Sequence, residues 1–115
     1  MKKIKMLNSR NGKELQVSLA DTPWLRLRGL LGRAPLQSDQ GMLISPCNAV
    51  HTMWMGYPLD LVYLDRRHKV VRIVTGLKPW RSSHCRQASS VLELAAGSVA
   101  QLQITQGDEL IWDPN

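Results

Sequence analysis

The stretch PLDLVYLD, residues 58–65, constrains the fold of this chain more than any other. In an extended strand alternate side chains point to opposite faces, which puts Leu59, Leu61, Tyr63 and Asp65 on one side and Asp60, Val62 and Leu64 on the other. Both sides are largely apolar, so the strand must be covered on both faces and belongs in the middle of a sheet. The polar RRH at 66–68 then turns the chain into KVVRIVTGL, whose β-branched content suits an antiparallel partner.

Other segments extend this frame. KIKMLNS and KELQVSLAD flank RNG, whose Asn11-Gly12 pair accepts the positive φ angles of a hairpin turn. In DTPWLRLRGLLGR, Asp21 or Thr22 can cap a helix, Pro23 suits its first turn, and Trp24, Leu27, Leu30 and Leu31 follow the rhythm of one apolar face. Gly32 can close that helix, which gives a span of about 22–32. GMLIS (41–45) and HTMWM (51–55) read as strands around a Pro46 turn, and PWRSSHCRQ (79–87) reads as a loop. SSVLELAAG resumes extended structure, SVAQLQI suggests a second short helix at about 97–103, and GDELIWD ends as a strand after a Gly107-Asp108 turn. The expected fold is α+β and mostly antiparallel β, a small curled sheet or barrel, with residues 1–115 as a single domain.

Composition narrows the function classes. A chain of 115 residues is long enough to bury roughly two thirds of its unfolded surface. No segment reaches the ~18 uninterrupted apolar residues of a membrane span, and MKKIKMLNSRNGKEL has a basic start without an apolar stretch behind it. With only Cys47 and Cys85 to oxidise, the chain fits a reducing compartment, and a cytoplasmic location without membrane contact is expected. The net charge of +6 invites a nucleic-acid partner, but the basic residues are scattered, so weak nucleic-acid binding is an alternative and not the favoured reading.

Chemistry-bearing side chains gather in two segments, 46–53 and 78–86. Cys47 and His51 share the first, and Trp80, Arg81, His84, Cys85 and Arg86 share the second. If the two met, they would form one rim able to bind a small ligand or a protein partner. Cys47 and His51 sit four residues apart, ~13 Å on an extended strand, so a shared ion needs a turn between them. The C-x2-C clip of a structural zinc site is missing, and copper(I) would suit a thiolate with Met53 or Met55 better. No metal or cofactor is therefore assigned, although a redox or soft-metal protein built on Cys47, Cys85 and His51 is the second reading. The cysteines can also pair, or Cys85 can be activated by His84 or Arg86; two free thiols are the favoured alternative. Met53, Trp54 and Met55 are expected to pack in a core.

Among the carboxylates, Asp60, Asp65 and Glu93 lie within or beside apolar runs and need hydrogen bonds or cations if buried. Asp60 is expected to accept backbone N–H groups or to pair with Arg28 or Arg33, and Asp65 to open the DRRH turn. The common hydrolase, nucleotide and zincin motifs are absent from the sequence, no catalytic residue is assigned, and a non-enzymatic binding module is the leading reading.

RGLLGR, GMLISPC, HTMWM, PLDLVYLD, VLELAAG and GDEL follow one another in an order that resembles the domain of unknown function 192 family of small bacterial and archaeal proteins. The resemblance runs from about Trp24 to Asp113. It implies a β-rich fold with short helices and brings no activity, cofactor or substrate. Many relatives look exported or anchored, whereas this sequence opens on its first strand and is expected to be a cytoplasmic branch.

Overall fold

The computed structural model describes residues 1–113. Seven strands make one sheet in the order β6 (Val70–Leu77), β5 (Leu59–Leu64), β8 (Ser90–Ala95), β3 (Gln40–Ile44), β2 (Glu14–Ala20), β1 (Lys3–Asn8) and β9 (Leu110–Trp112). All neighbours are antiparallel except β2 and β3, which run parallel with Val17 beside Gly41 and Leu19 beside Leu43. A parallel pair cannot be joined by a tight turn. The connection between them, residues 21–39, therefore crosses the sheet and carries the first helix, α1 (Pro23–Arg28).

The sheet curls into a half-barrel whose two edge strands touch at one end. Lys69 bridges Glu109, the Val70 amide donates to Asp108 O at 2.8 Å, and the Leu110 amide donates to His68 O at 3.0 Å. Inside the curl lie Met6, Val17, Leu43, Val62, Leu64, Leu92, Leu94 and Leu110, closed off by Val99 and Leu102 of the second helix segment, α2 (Ser98–Gln101), and its end. Outside lies a second cluster: Met42, Ile44, Leu59, Leu61, Tyr63 and Val91 from the opposite faces of the same strands. Strand period two thus explains why β5 is buried along its whole length, as PLDLVYLD predicts.

That outer face is covered by two devices, and both differ from the sequence expectation. One is α1, which Thr22 caps by accepting the Leu25 amide at 3.2 Å, with Pro23 in the first turn. The helix ends at Arg28 and not near residue 32, because Gly29 already takes a positive φ of 54°. Its Trp24 and Leu27 are 67% and 70% exposed, so the expected apolar face points to solvent, and Leu30 beyond the helix is what enters the core. The other device is a two-stranded ribbon of β4 (Ala49–His51) and β7 (Ser82–His84). The strand expected at 51–55 lies instead at 49–51, and 79–87 is not all loop, since Ser82–His84 pairs with it. Short polar segments such as SSH carry almost no period-two signal, and only a partner strand reveals them.

Buried polar groups fix the remaining connections. Asp60, 1% exposed, accepts the Gly76 amide at 2.9 Å and the Gly97 and Val99 amides at 3.0 Å each, so it ties the end of β6 and the start of α2 to β5. Asp65 accepts the Arg67 and Lys69 amides, which opens the turn as expected. Gly41 faces Leu92 and Leu94 so closely that an added Cβ would lie 3.0 and 2.8 Å from their methyls and 3.2 Å from the Glu93 carbonyl. Gly41→Ala should therefore cost about 2 kcal/mol through overpacking; chemical denaturation checks it, and an unchanged midpoint would contradict the close packing. No helix among the described residues is long and apolar enough to cross a membrane.

Candidate functional site

The ribbon brings the two chemistry-bearing segments together. Val50 pairs with Ser83 and His51 with Ser82, while the Cys85 amide donates to Asn48 O at 2.8 Å. They meet on the outer face of the sheet, across from α1. Thr52, fully buried, pins the second segment to the first: its hydroxyl donates to Lys78 O at 2.6 Å and accepts the Arg81 amide at 2.9 Å. The Trp80 amide donates to Thr52 O at 3.0 Å.

Trp54 and Trp80 are held by this clasp. Their rings lie edge to face with centroids 4.7 Å apart, 75% and 53% exposed. Both residues have positive φ, 68° and 63°, a conformation that costs a bulky side chain on the order of 1 kcal/mol. Met53 is 44% exposed, so Met53 and Trp54 are surface groups and not the core residues expected of HTMWM; Met55 does pack on the outer cluster. Sequence pattern reads an apolar cluster as core, and a surface rim uses the same residues.

Between α1 and the ribbon is a cleft of about 80 Å³, lined by Arg26, Leu27, Gly29, Cys47, His51, Met53, Met55 and Glu93 among others. Its floor is Glu93. Leu92 and Leu94 face the interior of the curl, so period two aims Glu93 at the outer face, where it is 4% exposed. No hydrogen bond or ion pair reaches its carboxylate among the described residues, and burial pushes its pKa up to about 7. Gly29 closes over it, since a Cβ there would lie 3.8 Å from Glu93 Oε1. Nearby, Arg26 Nε and Tyr57 Oη are buried without hydrogen-bond partners among the described residues. Such groups are costly unless something satisfies them.

Cys47, His51 and Glu93 have the composition of a nucleophile, base and orienting acid without the arrangement. Cys47 Sγ donates to Ala49 O at 3.0 Å, and burial, with Glu93 adding to it, raises its thiol pKa. A catalytic thiol needs the opposite shift. The other thiol, Cys85, is buried in the outer core and directed at Gln87 Oε1, whereas His84 and Arg86 on either side of it are exposed. Both thiols are free, and no three His, Cys, Asp or Glu side chains among the described residues are placed to share a metal ion. The seven residues singled out from sequence therefore separate: Cys47 and His51 line the cleft, Trp80 and Arg81 are exposed beside Thr52 and do not line it, His84 and Arg86 lie on the surface further along the ribbon, and Cys85 belongs to the core.

Comparison with known proteins places this architecture. The family model for domain of unknown function 192, described as Uncharacterized ACR, matches residues 6–112. The chain belongs to this family. The UPF0127 protein TK1120 of Thermococcus kodakarensis is 28% identical over 95% of this chain and 73% of its own length. A crystal structure from Sinorhizobium meliloti, described as a candidate transcription regulator, is 26% identical, with a TM-score of 0.82 over 96% of this chain and 92% of that one. A protein of unknown function from Novosphingobium aromaticivorans, 22% identical over 96% and 84%, also has a TM-score of 0.82 and shares the fold.

Sequence reasoning marks Glu93 only as a carboxylate that needs a partner if buried, without placing it in the cleft, and misses Arg26. The signal was present in VLEL, where one carboxylate sits among apolar residues in a strand that is buried from Ser90 to Leu94. What the sequence lacks is the other wall: nothing in RLRG says that α1 lies over that carboxylate.

Proposed function

We propose that this chain is a non-enzymatic binding module whose ligand or partner segment enters the cleft between α1 and the β4–β7 ribbon. The observation that carries this reading is an exposed aromatic pair near a cleft in which the Glu93 carboxylate and Arg26 Nε have no hydrogen-bond partner among the described residues, while Arg26 Nη1 donates to Pro46 O at 3.2 Å. Met53 and Leu27 offer exposed apolar contact at a cleft that Glu93 and Arg26 also line, and the exposed Trp54–Trp80 pair stands on the segments that adjoin it. Rigid aromatic groups of this kind dominate binding energy because they bury much area at little entropic cost. A neutral amide suits the floor well: its N–H would donate to Glu93 and its carbonyl would accept from Arg26 Nε. The cleft holds only a group of about that size, so the rest of the occupant lies along the rim.

Intrinsic tryptophan fluorescence, titrated with a library of short peptides bearing Asn, Gln or C-terminal amides, tests the reading. Binders are expected to lose at least about tenfold in affinity with Trp80→Ala, and His51→Ala, at the wall of the cleft, should weaken them less. Binders untouched by both substitutions would remove the rim as the binding surface.

A further inference from the structure

Residues 28–34 separate the cleft above from a second concavity that the rim reading does not use. This one has a volume of about 450 Å³ and is lined by Lys3, Gln16, Ser18, Arg28, Arg33 and Gln40, over an apolar base of Leu30, Leu36 and Met42. That volume lies in the range of small-molecule sites. Among the described residues, three basic side chains and three neutral hydrogen-bonding side chains line it, and no carboxylate does.

The two guanidinium groups are held in place by their own loop. Arg28 Nε donates to Leu31 O at 3.1 Å, and Arg33 Nε donates to Gly29 O at 2.9 Å. These bonds engage the inner nitrogen of each side chain, while neither arginine has a carboxylate partner among the described residues. Positive φ at Gly29 and Gly32 folds RGLLGR back on itself, so that arginines five positions apart reach the same concavity. Arg28 lies close enough to disfavour the charge on Arg33, adding to the effect of desolvation. Like charges held together without a counter-ion are repulsive, and a bound anion would relieve them.

We infer that the concavity formed by Lys3, Arg28 and Arg33 binds a small organic phosphate ester. The inference goes beyond the rim reading and uses a separate surface. A phosphate monoester brings close to two negative charges and three acceptor oxygens, which match two guanidinium forks and an ammonium better than the single charge and two oxygens of a carboxylate. Gln16, Gln40 and Ser18 would meet hydroxyl or amide groups of the ester's body, and the apolar base its carbon frame. Because the site is concave, a compact ester fits it better than a nucleic-acid strand passing over the surface.

Calorimetric titration of the full chain tests this with inorganic phosphate, glucose 6-phosphate and adenosine monophosphate as probes, and succinate and a DNA duplex as controls. At least one ester should bind more tightly than inorganic phosphate. Arg28→Gln or Arg33→Gln should each weaken it about tenfold or more. Lys3→Gln, which lies on a strand and leaves the loop intact, should weaken it severalfold, so the result does not depend on the loop variants folding. Trp80→Ala should leave it unchanged, which keeps the outcome separable from that of the rim. No heat from any ester up to about 10 mM, a range that covers all but the weakest specific binding, would overturn the inference. So would succinate binding as well as the esters, or duplex binding that depends on the same arginines when the esters do not bind.

Discussion

Asp108→Ala should destabilise the protein by about 3 kcal/mol at neutral pH, lowering the melting temperature by roughly 10 °C. Asp108 is 4% exposed and sits in the turn that leads into β9. Its two oxygens accept five hydrogen bonds: from Asn8 Nδ2 at 2.8 Å, Arg10 Nε at 2.7 Å and Nη2 at 3.2 Å, the Thr105 amide at 2.8 Å and the Thr105 hydroxyl at 3.0 Å. These partners come from the end of β1, the following turn and the end of the α2 connection, so one carboxylate ties together the corner where the half-barrel closes. Alanine would leave the buried Asn8 amide without its acceptor and release Arg10 to solvent. The Arg10 hydrogen bond is the main reason the carboxyl titrates well below the ordinary 3.8. A depressed folded value means that the stabilisation is complete above that ordinary value and drains away as the pH falls below it. The gap between wild type and Asp108→Ala should therefore be full at pH 7 and narrow below about pH 4. Thermal melts across that range read both effects, and equal melting temperatures at pH 7 would show that the corner holds without the carboxylate.

How much of this is legible in the sequence depends on whether a residue's role is written in its neighbours. PLDLVYLD announces a doubly buried strand because both of its faces are apolar, and it is one. Thr22, Pro23 and the Asp65 turn act through partners two to four positions away, so local chemistry suffices to place them. Asp108 is different: its partner Asn8 is a hundred positions away, and nothing near either residue points to the other. Separation in sequence, though shorter, likewise hides the parallel pairing of β2 with β3 and the ribbon that joins His51 to Ser82. The apolar residues of α1 and HTMWM mislead for another reason. Periodicity reports that a face is apolar, and it is silent on whether that face meets the sheet or a partner, so Trp24, Leu27, Met53 and Trp54 read as core and stand in solvent.

Glu93→Gln should make the protein more stable, and only at the upper end of the pH range. The carboxyl is held at about 7 in the folded chain by desolvation, against an ordinary value of 4.5. Between those two values the unfolded chain has released its proton while the folded chain keeps it, so stability falls as the pH rises through this window and stays low above it. A difference of that size corresponds to about 3 kcal/mol. Glutamine has the same shape and no charge to desolvate, and it should gain roughly that amount over wild type at pH 8 and almost nothing near pH 4.5. Melting curves at the two pH values decide it: an equal gain at both would mean a packing effect, and no gain at pH 8 would mean that the carboxylate has a partner and the cleft floor is already satisfied. The substitution also removes the negative charge that helps to raise the Cys47 thiol pKa, so Cys47 should react faster with a thiol reagent at pH 8 even as the fold becomes firmer. A group that costs the folded state this much contributes nothing to holding it together, and such groups belong where binding is needed more than stability. Gaining stability while losing affinity for amide-bearing peptides is the combination that would tie Glu93 to binding, because a purely structural residue could not produce both.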